Sequence, residues 1–326
     1  MSRILGGILI LVGLAGAAFW LLSGPDIPRA TLEAKYAKPP SQFMRLADGA
    51  RAHIRDRGPR NAPVLVLIHG SNASLFTWEP WVKRLDNTYR VVTLDLPGHG
   101  LTGAVPNGDY SQEGMVAFIK EVADGLGLKQ FAIGGNSMGG AIAARFTEKY
   151  PERISRLILI DSGGLPTNEG QHIPLAFRLA RTPFVNKVLL HITPRSLVVE
   201  GLNDAIVRKK IITNRMIDLY WDFARMTGTR QATLIRFQLP WNTAVKDHIA
   251  DIKAPTLILW GEEDHLVPVE AARQFAANIH GARLVVYPHT GHIPQEEVPQ
   301  KSADDLRAFL SGKEPSMSAA LPTPVN

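Results

Sequence analysis

Cysteine is absent from the 326-residue sequence, which excludes disulfides, thiolate nucleophiles and cysteine-ligated metal sites. Dense runs of basic residues are also missing. The 36 Lys and Arg residues, against 30 Asp and Glu, are spread along the chain and leave a formal net charge of +6. A dispersed basic excess is typical of a solvated surface and argues against a nucleic-acid partner. The 45% share of hydrophobic residues is that of a globular protein with a sizeable core.

Charge is missing from one long stretch at the N-terminus, Ile4 to Leu22. About 20 apolar residues at a rise of about 1.5 Å are enough to cross the roughly 30 Å core of a bilayer. The stretch has no polar stripe, which argues against a core helix, and the apolar Phe19 and Trp20 follow its small residues, which argues against cleavage there. We predict a single-pass membrane anchor over residues 1–24, with a cleavable signal peptide as the alternative. The position of Arg3 favours a periplasmic or extracellular location for the rest of the chain.

Composition divides the remaining residues into three parts. Residues 25–42 carry four prolines in a polar stretch and are predicted to form an extended linker. Residues 313–326 contain Pro, Ser and Ala without apolar periodicity and are predicted to be a loose tail. Residues 43–312 are then left as one folded domain. Nothing in the sequence predicts an oligomeric state.

Within this domain, short runs rich in Val, Ile and Leu alternate with helical patterns. The runs predicted to be buried strands are Val64 to Ile68, Arg90 to Asp95, Gln130 to Gly134, Arg156 to Asp161, Thr256 to Trp260 and Arg283 to Tyr287. Helices are predicted at Tyr110 to Gly125, Met138 to Tyr150 and Ala271 to Asn278. This alternation is typical of an α/β protein with a mostly parallel, doubly wound sheet.

The alternation is interrupted between Asp161 and Thr256, where no strand pattern occurs. Helical patterns such as Ile211 to Met226 take its place. A long interval without strands inside an α/β chain indicates an insertion, because the strand rhythm resumes afterwards. We predict a helical cap at about residues 163–250.

The motif with the clearest chemical meaning is G-N-S-M-G, Gly135 to Gly139, between a predicted strand and a predicted helix. In that context G-x-S-x-G is typical of a nucleophile elbow, a sharp turn that exposes the serine hydroxyl above the sheet. We therefore predict that Ser137 is a nucleophile. An inert serine in a glycine-rich turn is the structural alternative.

A serine hydroxyl needs a general base and an acid that orients that base. Asp264, just beyond the strand Thr256 to Trp260, and His292, just beyond the strand Arg283 to Tyr287, follow Ser137 in the order expected of this architecture. Loops at the carboxyl ends of parallel strands converge over the sheet, so the three residues are predicted to meet. The alternatives left open are His289 for the base and Asp161, Glu262 or Glu263 for the acid.

An oxyanion hole needs two backbone N–H groups that face the developing negative charge. The residue after the nucleophile, Met138, is predicted to supply one of them. The loop after an early strand is predicted to supply the other, through Ser71 or, as the alternative, Asn72. We expect His69 to brace this loop rather than to act as a base.

Five motifs, in this order, resemble the α/β-hydrolase superfamily in its serine-nucleophile branch: H-G-S-N (His69 to Asn72), D-L-P-G-H-G (Asp95 to Gly100), G-N-S-M-G-G (Gly135 to Gly140), G-E-E-D-H-L-V-P and G-H-I-P-Q-E-E. The resemblance covers about Phe43 to Leu310. It implies an eight-stranded sheet, a helical cap after the sixth strand, and neither a metal nor an organic cofactor. The layout is similar to esterases and lipases and to meta-cleavage-product hydrolases, which cleave carbon–carbon bonds. Dehalogenases and epoxide hydrolases carry Asp at the elbow, whereas this chain has Ser137.

These patterns together predict a serine hydrolase that cleaves a carboxylic ester of a small or lipid-like acyl group through an acyl-enzyme. Two alternatives stay open: hydrolysis of a carbon–carbon bond on the same residues, and a non-catalytic binding protein of the same fold. The early loop lacks the H-G-G-G-P-G of many carbon–carbon hydrolases, which favours the ester.

Overall fold

The short apolar runs of the sequence form the centre of one eight-stranded sheet, β1-β2-β4-β3-β5-β6-β7-β8, in the computed structural model of the chain. The structure describes residues 24–166, 175–182, 184–239 and 248–314, together with four glycines of the N-terminal segment. From β4 to β8 every pairing is parallel, whereas β1 and β2 pair antiparallel at one edge. The strands are β1 (Ser41–Arg45), β2 (Arg51–Arg57), β3 (Val64–Ile68), β4 (Arg90–Leu94), β5 (Phe131–Asn136), β6 (Ile154–Ile160), β7 (Thr256–Gly261) and β8 (Arg283–Tyr287).

Helices cover both faces of the sheet, because successive strand side chains point to opposite faces and both sets are apolar. Along β3, Val66 and Ile68 join one buried cluster, while Leu65 and Leu67 join another. The first cluster packs beneath α3 (Gln112–Gly125), α4 (Met138–Lys149) and α10 (Val269–Asn278). The second packs beneath α2 (Glu79–Leu85) and α12 (Pro299–Leu310), which follows the short α11 (Pro294–Glu297). The α/β class and the mostly parallel sheet are therefore confirmed.

The first elements of the chain differ from the extended linker predicted for residues 25–42. Helix α1 (Arg29–Tyr36) lies in this segment and buries Leu32 against Phe223 and Met226 of the later helical segment. Polar residues surround that single apolar anchor, so the helix shows no amphipathic pattern in the sequence. The backbone N–H of Ile27 also donates to the carbonyl of Arg225 at 2.7 Å. The segment is thus packed onto the domain over these residues.

Between β6 and β7 the chain forms helices, in the interval for which the sequence predicts a cap. They are α5 (Leu175–Arg181), α6 (Val185–Leu189), α7 (Arg195–Ala205), α8 (Asn214–Ala224) and α9 (Thr229–Gln238). We call this helical segment the cap. It lies over the carboxyl ends of the strands, where the backbone N–H of His292 donates to the carbonyl of Ala205 at 2.8 Å. Of the predicted tail, residues 315–326 lie outside the described residues.

The prediction of an N-terminal transmembrane helix needs correction. A membrane-spanning helix needs about 20 apolar residues in one continuous helix. In the part of the chain that the structure describes, no helix is long and apolar enough to cross a membrane, and the longest, α3, has 14 residues. The stretch Ile4 to Leu22 lies outside the described residues except for four of its glycines, Gly6, Gly7, Gly13 and Gly16. The apolar composition supported the single-pass anchor, and the position of Arg3 supported its periplasmic or extracellular location; the described structure supports neither.

Candidate active site

Ser137 stands at the turn between β5 and α4, with a positive φ of 55°. This backbone conformation is strained for a residue with a side chain and is found where the surrounding structure enforces it. The neighbours enforce it by close packing: a Cβ atom at Gly139 would lie 2.3 Å from the carbonyl oxygen of Ile68. Only glycine fits there. The strand–turn–helix context expected for a nucleophile elbow is therefore present around Ser137.

His292 and Asp264 meet at the carboxyl end of the sheet. The Nδ1 atom of His292 lies 2.7 Å from Oδ2 of Asp264, and both side chains are buried. The other carboxylate oxygen of Asp264 accepts the backbone N–H groups of Leu266 at 2.8 Å and Val267 at 3.0 Å. The apolar turn after Asp264 thus holds its carboxylate, and the carboxylate can orient the imidazole so that Nε2 is free to act as a base.

The alternative residues lie in different surroundings. Nδ1 of His289 lies 2.9 Å from Glu263, and the His289 side chain is 84% exposed. Glu262 is exposed as well. Asp161 lies close to the pair, but its Oδ1 accepts the backbone N–H of Gly261 at 2.9 Å. Among the candidates, Asp264 and His292 are the two that are joined directly to each other and buried.

Asp161, Asp264 and His292 each place one potential ligand atom within 4.8 Å of the others, the only such group of three or more in the described part of the chain. The short contact between His292 and Asp264 already uses one ligand atom of each. Burial and the neighbouring Asp264 carboxylate raise the pKa of Asp161 well above its usual range, which favours the neutral form of this carboxyl group. A neutral carboxyl group is a weak metal ligand, and the three residues fit a hydrogen-bonded acid–base cluster better.

The loop after β3 approaches the elbow closely. A Cβ atom at Gly70 would lie 3.2 Å from Cβ of Ser137, and the next residues, Ser71 and Asn72, line the same cavity as the serine. Asn72 has a positive φ of 57°, which turns the loop sharply. Met138 follows Ser137 at the first position of α4, where backbone N–H groups are not used within the helix.

His69 braces this loop from below, as expected. Its Nδ1 lies 2.7 Å from the carbonyl oxygen of Gly70, and its Nε2 accepts the backbone N–H of Leu96 at 3.1 Å. Burial lowers the pKa of His69, so the ring is neutral at neutral pH. Both ring nitrogens are therefore used in holding the loop, and neither is available as a base.

A cavity of about 250 Å³ lies between the sheet and the cap, and Ser137 and His292 both line it. Residues of the loop after β3 line the same cavity. The cap contributes mainly apolar side chains to the lining: Ala180, Ile192, Leu197, Val198, Leu202, Leu234 and Phe237. A site of this kind holds an apolar group against a small number of polar groups.

Three polar residues that the sequence analysis did not identify form hydrogen bonds between the segments around the cavity. Asn136 donates to the carbonyl of His292 at 2.9 Å, Glu297 accepts the N–H of Gly291 at 2.8 Å, and Arg236 from α9 reaches the loop after β3. Asn136 and Glu297 fall within motifs that carry the family resemblance, so their positions gave a signal. Arg236 gave none, because it is one of two arginines in a helix of mixed composition.

Comparison with known proteins agrees with this architecture. Residues 63–299 match the family model of the alpha/beta hydrolase fold. A 2-hydroxy-6-oxononadienedioate/2-hydroxy-6-oxononatrienedioate hydrolase of Klebsiella pneumoniae is 29% identical over 272 residues, 79% of this chain and 91% of the relative. The hydrolase of the same name from Comamonas testosteroni is 30% identical over 263 residues, 76% of this chain and 86% of the relative. A solved structure of a membrane phospholipase A has a TM-score of 0.73 at 23% identity, covering 96% of this chain and 99% of that one, which shows the shared fold.

The chain belongs to the α/β-hydrolase superfamily, as its motifs predict. The fold and the hydrolases among its relatives make it a hydrolase of that superfamily.

Proposed function

We propose that this protein is a serine hydrolase that cleaves carboxylic esters through an acyl-enzyme. Ser137 is the nucleophile, His292 the general base and Asp264 the acid that orients it. The observation that carries the proposal is the 2.7 Å contact between His292 and Asp264 in a cavity that Ser137 also lines, at a strained elbow. The burial of His292 and Asp264 and the turn at Ser137 support these roles.

In the first half of the reaction, Nε2 of His292 takes the hydroxyl proton of Ser137 while Oγ bonds to the ester carbonyl carbon. The carbonyl electron pair moves to the oxygen, and the resulting negative charge faces the N–H groups of Met138 and of Ser71 or Asn72. Collapse of this intermediate breaks the bond to the alcohol oxygen, which takes the proton from His292. An acyl-enzyme and a free alcohol result.

In the second half, water replaces the alcohol. His292 accepts a proton from the water as its oxygen bonds to the acyl carbon, and collapse releases the carboxylic acid and returns the proton to Oγ of Ser137. Asp264 stays ionised and stabilises the imidazolium form of His292 in both halves. The apolar side chains that the cap contributes to the cavity favour binding of the acyl chain of the substrate, because they offer it a hydrophobic surface.

The test is turnover by the wild type and Ser137→Ala of p-nitrophenyl esters of increasing acyl length and of a dienoic diketone. We expect the variant to lose at least about 1,000-fold in kcat/KM, because the bond-forming atom is gone. Ser311→Ala is the matched control, since Ser311 is an exposed serine far from the cavity in the described structure. Unchanged turnover in Ser137→Ala contradicts the proposal.

Carbon–carbon hydrolysis is the second candidate, favoured by the names of the relatives from Klebsiella pneumoniae and Comamonas testosteroni. It uses the same residues, so the diketone in the panel decides between the two. Turnover of the diketone with no turnover of any ester supports this candidate. Turnover of either substrate class by the wild type excludes a purely non-catalytic binding protein.

A further inference from the structure

Arg236 of the cap reaches into the loop proposed to form the oxyanion hole. Its Nη2 donates to Oδ1 of Asn72 at 2.8 Å and its Nη1 donates to Oγ of Ser71 at 2.5 Å. The same Nη1 lies 3.4 Å from Sδ of Met138. One side chain from the cap therefore contacts every residue to which we assign an oxyanion N–H group, although it does not itself line the cavity.

The charge of Arg236 is unusual for its position. The side chain is 2% exposed, and its acceptors among the described residues are a hydroxyl, an amide oxygen and a thioether, all of which are neutral. Burial lowers the pKa of Arg236 to about 9, which leaves the guanidinium protonated at neutral pH. The positive charge of Arg236 also helps to lower the pKa of His99, for which burial is the larger cause.

A buried cation with neutral acceptors lowers stability compared with a neutral side chain of similar shape. Holding the loop alone requires only a neutral donor such as an amide. A cation, by contrast, adds a positive potential beside the place where the ester carbonyl oxygen becomes negative. That potential favours the charged intermediate over the neutral ester, which is how preorganised electrostatics accelerates a reaction.

We propose that Arg236 is a positioning residue for the oxyanion hole, which holds Ser71 and Asn72 in place and supplies the positive potential behind them. The inference rests on the proposed function, because it assigns a role within that reaction. It also gives the cap a part in catalysis besides shaping the substrate cavity, because a cap side chain holds the loop after β3.

The contacts explain why a guanidinium stands here. Two nitrogen atoms at a fixed separation reach two acceptors on adjacent residues, which the single nitrogen of lysine does not do. Asn72 can be tested without disturbing the backbone, since its φ of 57° suits glycine. Asn72→Gly removes one of the two acceptors and leaves Arg236 intact.

The experiment compares Arg236→Gln, Arg236→Lys, Asn72→Gly and the double variant with the wild type on the best ester. The readouts are kcat, KM, the dissociation constant of an alkyl boronic acid that mimics the tetrahedral intermediate, and the thermal midpoint. We expect Arg236→Gln to lower kcat by about 100-fold with KM changed less than threefold, approaching the loss seen when an oxyanion donor is removed. Boronate affinity should fall by a similar factor. Arg236→Lys should recover only part of kcat.

The Asn72 variants test the route through the loop. We expect Asn72→Gly to lower kcat by about tenfold, and the double variant to fall no further than Arg236→Gln, because both changes break the same contact. If Arg236→Gln fails to fold, kcat and boronate affinity of Asn72→Gly still test the role of the contact: a loss in both supports it, and wild-type values contradict it. Arg55→Met is the matched control, since Arg55 of β2 is another buried arginine, is bonded to Glu79 of α2 and does not line the cavity.

Two results separate the failure of this inference from failure of the proposed function. If the wild type turns over esters and Arg236→Gln does so within threefold, the role of Arg236 is wrong and the proposed function stands. The same holds if kcat falls equally in Arg236→Gln and Arg55→Met in proportion to their thermal midpoints, since that loss is structural. A wild type without any ester turnover overturns the proposed function itself.

Discussion

The side-chain amide of Asn136 donates a hydrogen bond to the carbonyl oxygen of His292, 2.9 Å away. A second N–H of this amide donates to the carbonyl of Ile160 at 3.2 Å. Asn136 ends the strand that leads into Ser137, so one buried amide links the backbone beside the proposed nucleophile to the backbone of the proposed base. We infer that this link helps to set the distance between Ser137 and His292.

Replacing Asn136 should therefore lower activity through geometry. We expect Asn136→Ala to lower kcat by about tenfold and the free energy of unfolding by about 1–2 kcal/mol, because two buried carbonyl oxygens lose a donor. Asn136→Asp should be worse in both respects, since a carboxylate would face those same oxygens. Urea denaturation and ester turnover measure the two effects. Equal activity of the wild type and Asn136→Asp would contradict the link.

Glu297 connects the cap with the loop of His292. One oxygen accepts the N–H of Gly291 at 2.8 Å, and the other accepts the N–H groups of Val207 at 3.0 Å and Arg208 at 2.8 Å. In Glu297→Gln an amide NH₂ replaces one acceptor and must face a backbone donor. We expect a loss of about 1–3 kcal/mol in stability and a lower kcat. Glu270→Gln, an exposed acid of α10, is the control, and equal midpoints of the two variants would refute the connection.

Asp161 is predicted to tolerate replacement by Asn but not truncation of its side chain to Ala. Burial and Asp264 raise its pKa well above the usual range, which favours the neutral form of its carboxyl group. Asp161→Asn keeps the oxygen that accepts the N–H of Gly261 and should retain activity within about threefold. Asp161→Ala leaves that buried N–H without a partner and should cost about 1–3 kcal/mol. Loss of activity in Asp161→Asn would show that the charged form is required.

Glu296 should make stability depend on pH. Burial, with a smaller effect of Glu297, raises its pKa to about 7, while the Thr77 hydroxyl donates to its carboxylate and opposes the shift. The folded protein thus binds this proton more tightly than the unfolded chain, so the contribution of Glu296 is full below about pH 4.5 and is lost as pH rises through 7. At about 1.4 kcal/mol per pKa unit, reduced for its partial exposure, the loss is roughly 2 kcal/mol.

Glu296→Gln removes this titration and nearly preserves the shape of the side chain. Urea denaturation of the wild type and the variant at pH 5 and pH 8 isolates the effect, because the other titrating groups are common to both. We expect the variant to lose about 2 kcal/mol less between the two pH values. Parallel changes in wild type and variant would show that Glu296 does not titrate in this range.

The centre of the fold could be predicted from the sequence because it is simple physically. Strands buried on both faces must be apolar throughout, and β3, β4 and β6 to β8 stand out for that reason. The antiparallel strands β1 and β2 do not, since β1 is an edge strand and β2 carries several charged residues. Asp56 on β2 accepts two hydrogen bonds from Arg90, at 3.0 and 2.8 Å, and such pairing across strands has no signature in local sequence.

The proposed site, like the fold, could be predicted from the sequence only in part. Ser137, Asp264 and His292 follow recognisable strand ends, and glycines beside them mark turns that the backbone requires. Arg236 contacts Asn72, which lies 164 positions away in the sequence, so only the packed structure shows where its guanidinium points. The apolar N-terminal stretch illustrates the opposite case, in which composition favoured a membrane anchor that the described structure does not support.

The most direct test of the central claim is mass spectrometry of the wild type after reaction with a fluorophosphonate, with the modified peptide sequenced. This reagent bonds to a serine oxygen that a neighbouring base has activated. We predict one adduct per chain, located on Ser137, and its loss in His292→Ala. An unmodified wild type, or an adduct on a different residue, would contradict the assignment of Ser137 as the nucleophile.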